Sequence, residues 1–211
     1  MKKDFEEAVK WYTKAALDGN EWAQNKLANC YYYGDGVEQD EAKAVEYFRK
    51  SAEAGNKNSM NRLGDCYNYG SGVEQDYQQA INWYRQAALA GHHIAKYNLG
   101  NCYYNGSGVE QDYQQAITWY QQAAEQNIEG AMNKLGECYQ YGYGVEQDYQ
   151  QAITWYQKAA EKGNGWAQDM LGSFYEYGKG VDKDLNLAIT WYQKAADNGN
   201  KHARTRLLRL A

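Results

Sequence analysis

Proline is absent from the 211 residues of the chain, histidine occurs only three times, and no run of 18 apolar residues exists. The last absence excludes a helical membrane span. His92, His93 and His202 form no HExxH pattern, and His92-His93 falls at an expected helix start, in a surface role; no metal site is expected. Basic residues are the minority, and a formal charge of −5 argues against a general nucleic-acid binder, which carries a basic stripe. The local exception is Lys201, Arg204, Arg206 and Arg209, expected to form a solvated end cap favoured by the helix dipole. No serine is followed by lysine three residues on: Ser51, Ser59, Ser71, Ser107 and Ser173 all fail. The GxG of "YGSGV" leaves a helix pattern instead of opening one after a strand, so it is no phosphate loop. Acidic pairs such as Glu6/Glu7 read as helix surface. No catalytic residue and no cofactor is expected. The opening "MKKDFEEAVKWY" has lysines followed by acids and no apolar core, so it does not read as a signal peptide.

What is present is aromatic and periodic. There are 22 tyrosines and seven tryptophans, ample apolar surface for a folded chain. The decapeptide "GVEQDYQQAI" occurs unchanged at 72–81, 108–117 and 144–153, and a step of 36 residues runs through the sequence. It relates Trp11, Tyr47, Trp83, Trp119, Trp155 and Trp191; Leu27, Leu63, Leu99, Leu135, Leu171 and Leu207; and Gly34, Gly70, Gly106, Gly142 and Gly178. The whole chain is repeat, so neither a linker nor a second domain is expected.

Each period holds two helical patterns. In "DYQQAINWYRQAALAG" residues Ala80, Ile81, Tyr84, Ala87 and Ala88 share one helical face. Asp76 is placed as N-cap, with Gln79 completing a pair that resembles a capping box. Gly91 ends the helix where a left-handed residue is wanted, as do Gly19, Gly55, Gly163 and Gly199; Asn127 fills that slot once. In "IAKYNLGNCYYNGSG" the stripe is Ala95, Leu99, Cys102 and Tyr103. Gly100 and its equivalents Gly64, Gly136 and Gly172 imply close helix packing, since a mid-helix glycine costs roughly 1 kcal/mol against alanine. The decapeptide is then a helix breaker, a plug, an N-cap and a first turn: a joint reproduced in each repeat and not a chemical motif.

The pattern "A…LG..Y..G.GV..D...A..WY..AA..G" resembles the Sel1-like repeat, a relative of the tetratricopeptide repeat. One unit carries it as Ala95, Leu99, Gly100, Tyr103, Gly106, Gly108, Val109, Asp112, Ala116, Trp119, Tyr120, Ala123 and Ala124. The resemblance covers essentially the whole chain and implies an all-α, right-handed α/α superhelical solenoid of 36-residue helix-turn-helix repeats. In that frame residues 1–211 form a single solenoid: an orphan second helix at 4–18, full repeats at about 20–55, 56–91, 92–127, 128–163 and 164–199, and a C-terminal helix at 200–211. Departures are Ala28 for the glycine, Phe174 for the cysteine and Tyr47-Phe48 for Trp-Tyr.

Cys30, Cys66, Cys102 and Cys138 occupy one repeat position, so they are separated by the helix-stack spacing, on the order of 10 Å. A disulfide needs Cα atoms within about 7 Å, and zinc ligation fails on the same distance. Four buried, reduced thiols are expected, which suits a reducing compartment and a cytoplasmic location; a periplasmic or secreted location would require a leader removed before Met1. A cysteine-rich branch of the family pairs two cysteines per repeat, and this chain has one.

The first helices carry a second, variable stripe roughly 150° from the core stripe. Proteins similar to this one line a concave groove with that face. The groove residues expected here are Trp22, Asn25, Asn29, Tyr33, Asn61, Asp65, Tyr69, Tyr97, Asn101, Tyr104, Asn133, Glu137, Tyr141, Trp166 and Tyr177. Tyrosine and asparagine give rigid contact area and hydrogen bonds at low entropy cost, and spaced amides can pair with the backbone of an extended peptide. The leading expectation is therefore a monomeric, non-enzymatic scaffold or adaptor that holds a protein or peptide in the groove, with no nucleic acid and no membrane span. The resemblance suggests signalling, secretion, host interaction or toxin neutralisation. Two alternatives stay open: a β-lactam-binding or β-lactam-hydrolysing enzyme of the cysteine-rich branch, and a designed or consensus-like repeat protein without a natural partner.

Overall fold

The structure, a computed structural model, describes residues 2–210; Met1 and Ala211, the edges of the expected repeat array, lie outside the described residues. Among the described residues there are helices and turns but no strand. The chain falls into two compact units, residues 1–111 and 112–211. Unit 1 holds α1 (Lys2–Leu17), α2 (Glu21–Tyr33), α3 (Glu41–Glu53), α4 (Lys57–Tyr69), α5 (Tyr77–Leu89) and α6 (His93–Asn105). Unit 2 holds α7 (Tyr113–Ala124), α8 (Glu129–Tyr141), α9 (Tyr149–Glu161), α10 (Gly165–Tyr177), α11 (Leu185–Asp197) and α12 (Lys201–Leu210). Even-numbered helices are the first helices of their repeats, with LGxxY in α4, α6, α8 and α10 and LAxxY in α2; odd-numbered ones are second helices. The most extensive helix packing is between α2 and α3 and between α4 and α5 in unit 1, and between α8 and α9 and between α10 and α11 in unit 2.

The 36-residue leucines are the floor of each core: Leu27, Leu63, Leu99, Leu135 and Leu171 are fully buried. The mid-helix glycines have one specific neighbour. A Cβ on Gly64, Gly136 or Gly172 would stand 2.6, 2.4 or 2.5 Å from ring atoms of Tyr84, Tyr156 or Tyr192 respectively. Each ring therefore lies flush on a backbone that has no side chain. Its hydroxyl donates to a polar group of the first helix: Tyr84 to Asp65 Oδ1 at 2.8 Å, Tyr156 to Gln140 Oε1 at 2.8 Å, Tyr192 to Glu176 Oε2 at 2.7 Å. Where alanine replaces the glycine, at Ala28, the facing residue of the same cluster is Phe48, which has no hydroxyl to anchor.

The glycines, the aspartate and two of the glutamines of the recurrent joint have defined partners. Gly106 caps α6 in the left-handed conformation at φ 71°, its N–H donating to Cys102 O. Gly108, at φ 74°, lies on the first turn of the preceding second helix, so close that a Cβ would sit 2.3 Å from Tyr77 O. Gln78 Nε2 from that turn donates to Gly108 O at 2.6 Å, and Gln150 makes the same bond to Gly180 O in unit 2. Gln75 and Gln147 turn back to cap carbonyls of the helix before them, those of Asn68 and Gln140. Asp76 Oδ1 accepts from the N–H groups of Gln78 and Gln79. The expected capping box is only half formed, because the Asp76 N–H donates to Tyr67 O and not to the Gln79 side chain. Backbone closure of the loop takes the donor that the glutamine would have satisfied. Asn127 is the one described non-glycine residue with positive φ, at 64°, as its place in the repeat predicts.

The N-caps of the first helices were not singled out by the sequence pattern. Asn20, Asn56, Asn164 and Asn200 accept from backbone N–H groups at the helix starts. In α6 the capping residue is His92, whose Nδ1 accepts from the Ala95 N–H at 3.1 Å. Burial, followed by the nearby charges of Lys57, His93 and Arg62, pushes its pKa down to about 4. Against an ordinary histidine value of about 6.5, the unfolded chain binds the extra proton first. The contribution of this cap is complete above the ordinary value and is lost as pH falls toward about 4. His92→Asn, which installs the cap used elsewhere, is expected to reduce the drop in melting temperature between pH 7 and pH 4.5. An unchanged drop would show that the His92 cap does not contribute.

Candidate partner-binding surface

The variable stripe is built from positions one and two turns apart on each first helix, and its side chains divide into three groups. In unit 1, Trp22, Tyr33 and Tyr69 stand exposed, Tyr69 at 74 %, with Ile94 exposed beside them in register. Asn29, Asp65, Tyr97, Asn101 and Tyr104 are half-buried. Asn25 and Asn61 are buried, at 8 and 6 % exposure, and this corrects their expected place on an open face. The angle around a single helix ignores its neighbours, and a residue there also meets the adjacent first helix of the stack. Asn25 Nδ2 donates to Ser59 Oγ at 2.7 Å, Ser59 Oγ to Ser51 Oγ at 2.8 Å, and Ser51 Oγ to Glu21 O at 2.6 Å. Asn61 Nδ2 donates to Asp65 Oδ2, and Asn98 Nδ2 reaches Asn61 Oδ1 at 3.1 Å and Asp65 Oδ1 at 3.3 Å. Burial pushes the Asp65 carboxyl up, against the Tyr84 hydroxyl and Arg62 that pull it down. These amides knit successive first helices together, as buried polar groups must be paired.

In unit 2, Tyr141, Trp166 and Tyr177 are exposed, while Asn133 and Glu137 are half-buried. Asn133 Nδ2 donates to Asn164 Oδ1 at 3.0 Å, and Glu137 pairs with Lys134 at 2.8 Å. Trp166 meets Tyr156 edge-on, with ring centroids 5.4 Å apart.

The basic cluster of α12 is not a freely solvated cap, which is a second correction. Arg206 Nε lies 3.5 Å from Asp169 Oδ1, and Arg206 also donates to the Tyr192 hydroxyl at 2.9 Å. Arg209 pairs with Glu176. Asp169 and Glu176 are buried, and a buried carboxylate requires a counter-charge, so two of the four cations are tied to carboxylates, Arg206 half-buried and Arg209 exposed.

All four cysteines are free and buried. Burial pushes Cys66 and Cys138 up to about 12 and Cys102 to about 11, so the thiolate, the reactive form, is scarce at neutral pH. Among the described residues no group of three His, Cys, Asp or Glu side chains is placed to hold a metal ion, and no helix is long and apolar enough to cross a membrane.

Two charged residues on this face carried no weight in the sequence pattern. Lys26 and Arg62 occupy one 36-residue position, within the stripe, and both are exposed. The Lys26 ammonium lies 5.1 Å from the centroid of the Trp22 ring.

Comparison with known proteins agrees with this architecture. The Sel1 repeat family matches residues 1–20, 23–56, 57–92, 93–128, 130–164 and 167–200. A protective antigen of uropathogenic Escherichia coli strains, which displays an SLR fold, is 38 % identical with a TM-score of 0.88; the alignment covers 97 % of this chain and 44 % of that one. The chain thus spans less than half the length of that relative. A Sel1 repeat protein from Oxalobacter formigenes is 36 % identical with a TM-score of 0.88, covering 95 % of this chain and 82 % of that one. The immunity protein Pa5087 from Pseudomonas aeruginosa, at 24 % identity and a TM-score of 0.56 over 83 % of this chain and 67 % of that one, shares the fold. No curated protein matched the sequence.

Proposed function

Because the chain belongs to the Sel1 repeat family, we propose that it is a non-enzymatic protein-binding scaffold whose partner lies on the first-helix faces. The observation that carries this reading is the set of large aromatic side chains left in solvent at repeat-related positions: Trp22, Tyr33 and Tyr69 in unit 1, Tyr141, Trp166 and Tyr177 in unit 2. Exposed aromatics that recur on the first helices of a unit mark an interaction surface better than scattered ones, and tyrosine and tryptophan dominate binding hot spots. The buried leucines and inward tyrosines form the core, and these six side chains lie at its outer margin, Trp166 touching Tyr156 edge-on. The buried, reduced thiols suit a reducing compartment, and we place the protein in the cytoplasm on that ground.

The test is a comparison of baits. A partner retained by the wild-type chain should bind Trp22→Ala, Tyr69→Ala and Tyr141→Ala each about 1–2 kcal/mol more weakly, or more for a central contact. Retention of full affinity by all three variants would overturn the assignment of this face.

A further inference from the structure

We propose that the first-helix face of unit 1 receives an acidic amphipathic α-helix; this rests on the reading above and specifies the occupant. Three observations lead there. The first is hydrogen bonding. An extended segment needs partners for its own N–H and C=O groups, and the asparagines are the obvious donors. Yet four amide nitrogens of the first helices, those of Asn25, Asn29, Asn61 and Asn98, already donate to neighbours within the unit: Ser59 Oγ, Asn25 O, Asp65 Oδ2 and Asn61 Oδ1. A helix brings its backbone already satisfied.

The second is width. Trp22 and Ile94 stand at the N-terminal ends of their helices, Tyr33 and Tyr69 at the C-terminal ends, and all four are exposed. Trp22 and Tyr33 are eleven residues apart on α2, about 16 Å at 1.5 Å per residue. A helix with its side chains, about 10–12 Å across, lying over α2, α4 and α6 fits between the two aromatic edges.

The third is charge. The exposed ionised groups of the stripe in this unit are Lys26 and Arg62. Its one carboxylate, Asp65, is half-buried, accepts from Tyr84 and Asn98, and has Arg62 at 3.7 Å. The face is thus positive on a chain whose formal charge is −5. Such a local reversal steers and orients an acidic partner.

The experiment is a selection of displayed random 16-residue peptides against the full chain, followed by affinity measurement of the enriched sequences as synthetic peptides. Enriched peptides are expected to be net acidic with apolar residues at i, i+3 or i+4 and i+7. Their affinity should fall at least tenfold on Lys26→Glu/Arg62→Glu, a pair of exposed positions whose folding is checked by circular dichroism, and on placing proline at the peptide centre. Neutral or basic peptides, or peptides indifferent to the central proline, that still require Trp22 and Tyr69 would overturn the acidic-helix inference and leave the binding face standing. Enriched peptides indifferent to Trp22→Ala and Tyr69→Ala, or no enrichment over the starting library, would overturn both.

Discussion

Gly108→Ala is expected to destabilise unit 1 by about 3 kcal/mol or more, against about 1–2 kcal/mol for Gly106→Ala two residues away. Both glycines are left-handed, at φ 74° and 71°, so the intrinsic backbone penalty is shared. Their surroundings are not. A Cβ at position 106 meets Gln111 Cβ and N at 3.4 Å, an ordinary contact at the edge of tightness. At position 108 it meets the backbone of Tyr77, whose O and C would be 2.3 and 2.5 Å away. Backbone on both sides leaves nothing flexible to move, so the loop must lift off the preceding helix and release the Gln78 bond. Gly106→Asn should be milder still, because Asn127 already holds a left-handed position in this chain. Urea denaturation of the variants checks the order; equal losses at 106 and 108 would mean that the loop contact with α5 contributes nothing.

The joint shows what was legible in the sequence and what was not. The 36-residue step showed two helical patterns per repeat and marked the glycines, the aspartate N-caps and Asn127 as turn positions, because these depend on local backbone geometry. Why the second glycine of "GSGV" cannot vary was not visible, since its contact is with Tyr77, thirty-one residues earlier in the chain. The same limit accounts for Asn25 and Asn61. A helical wheel places them opposite their own leucines, yet their burial comes from the adjacent first helix. It accounts also for Arg206 and Arg209, whose carboxylate partners Asp169 and Glu176 lie 37 and 33 residues earlier and are hidden only once α10 and α12 are side by side. Tyr33, Tyr69, Tyr141 and Tyr177, by contrast, are exposed, and each directly precedes the glycine that ends its helix, where no neighbouring helix covers it.

Leu63→Ala is expected to cost about 2–5 kcal/mol of unit 1 stability by leaving a cavity among Ala28, Ala44, Val45, Phe48, Ala52 and Cys66, all buried. Tyr69→Ala, less than two turns further along the same helix, should change stability by no more than about 0.5 kcal/mol, as its side chain is three-quarters in water. The contrast separates the two stripes of α4: one packs, and the other faces outward, as the proposed recognition surface requires. A Tyr69→Ala variant as unstable as Leu63→Ala would assign Tyr69 to packing.

The most direct measurement of that division is site-specific photocross-linking in the cells that make the protein, with a benzophenone side chain placed in turn at positions 69, 141, 79 and 115. Gln79 and Gln115 are exposed residues of the second helices and serve as the opposing face. Discrete cross-linked protein species are expected from positions 69 and 141 and none from 79 and 115. Cross-links confined to positions 79 and 115 would contradict it and move the recognition surface to the glutamine-rich second helices.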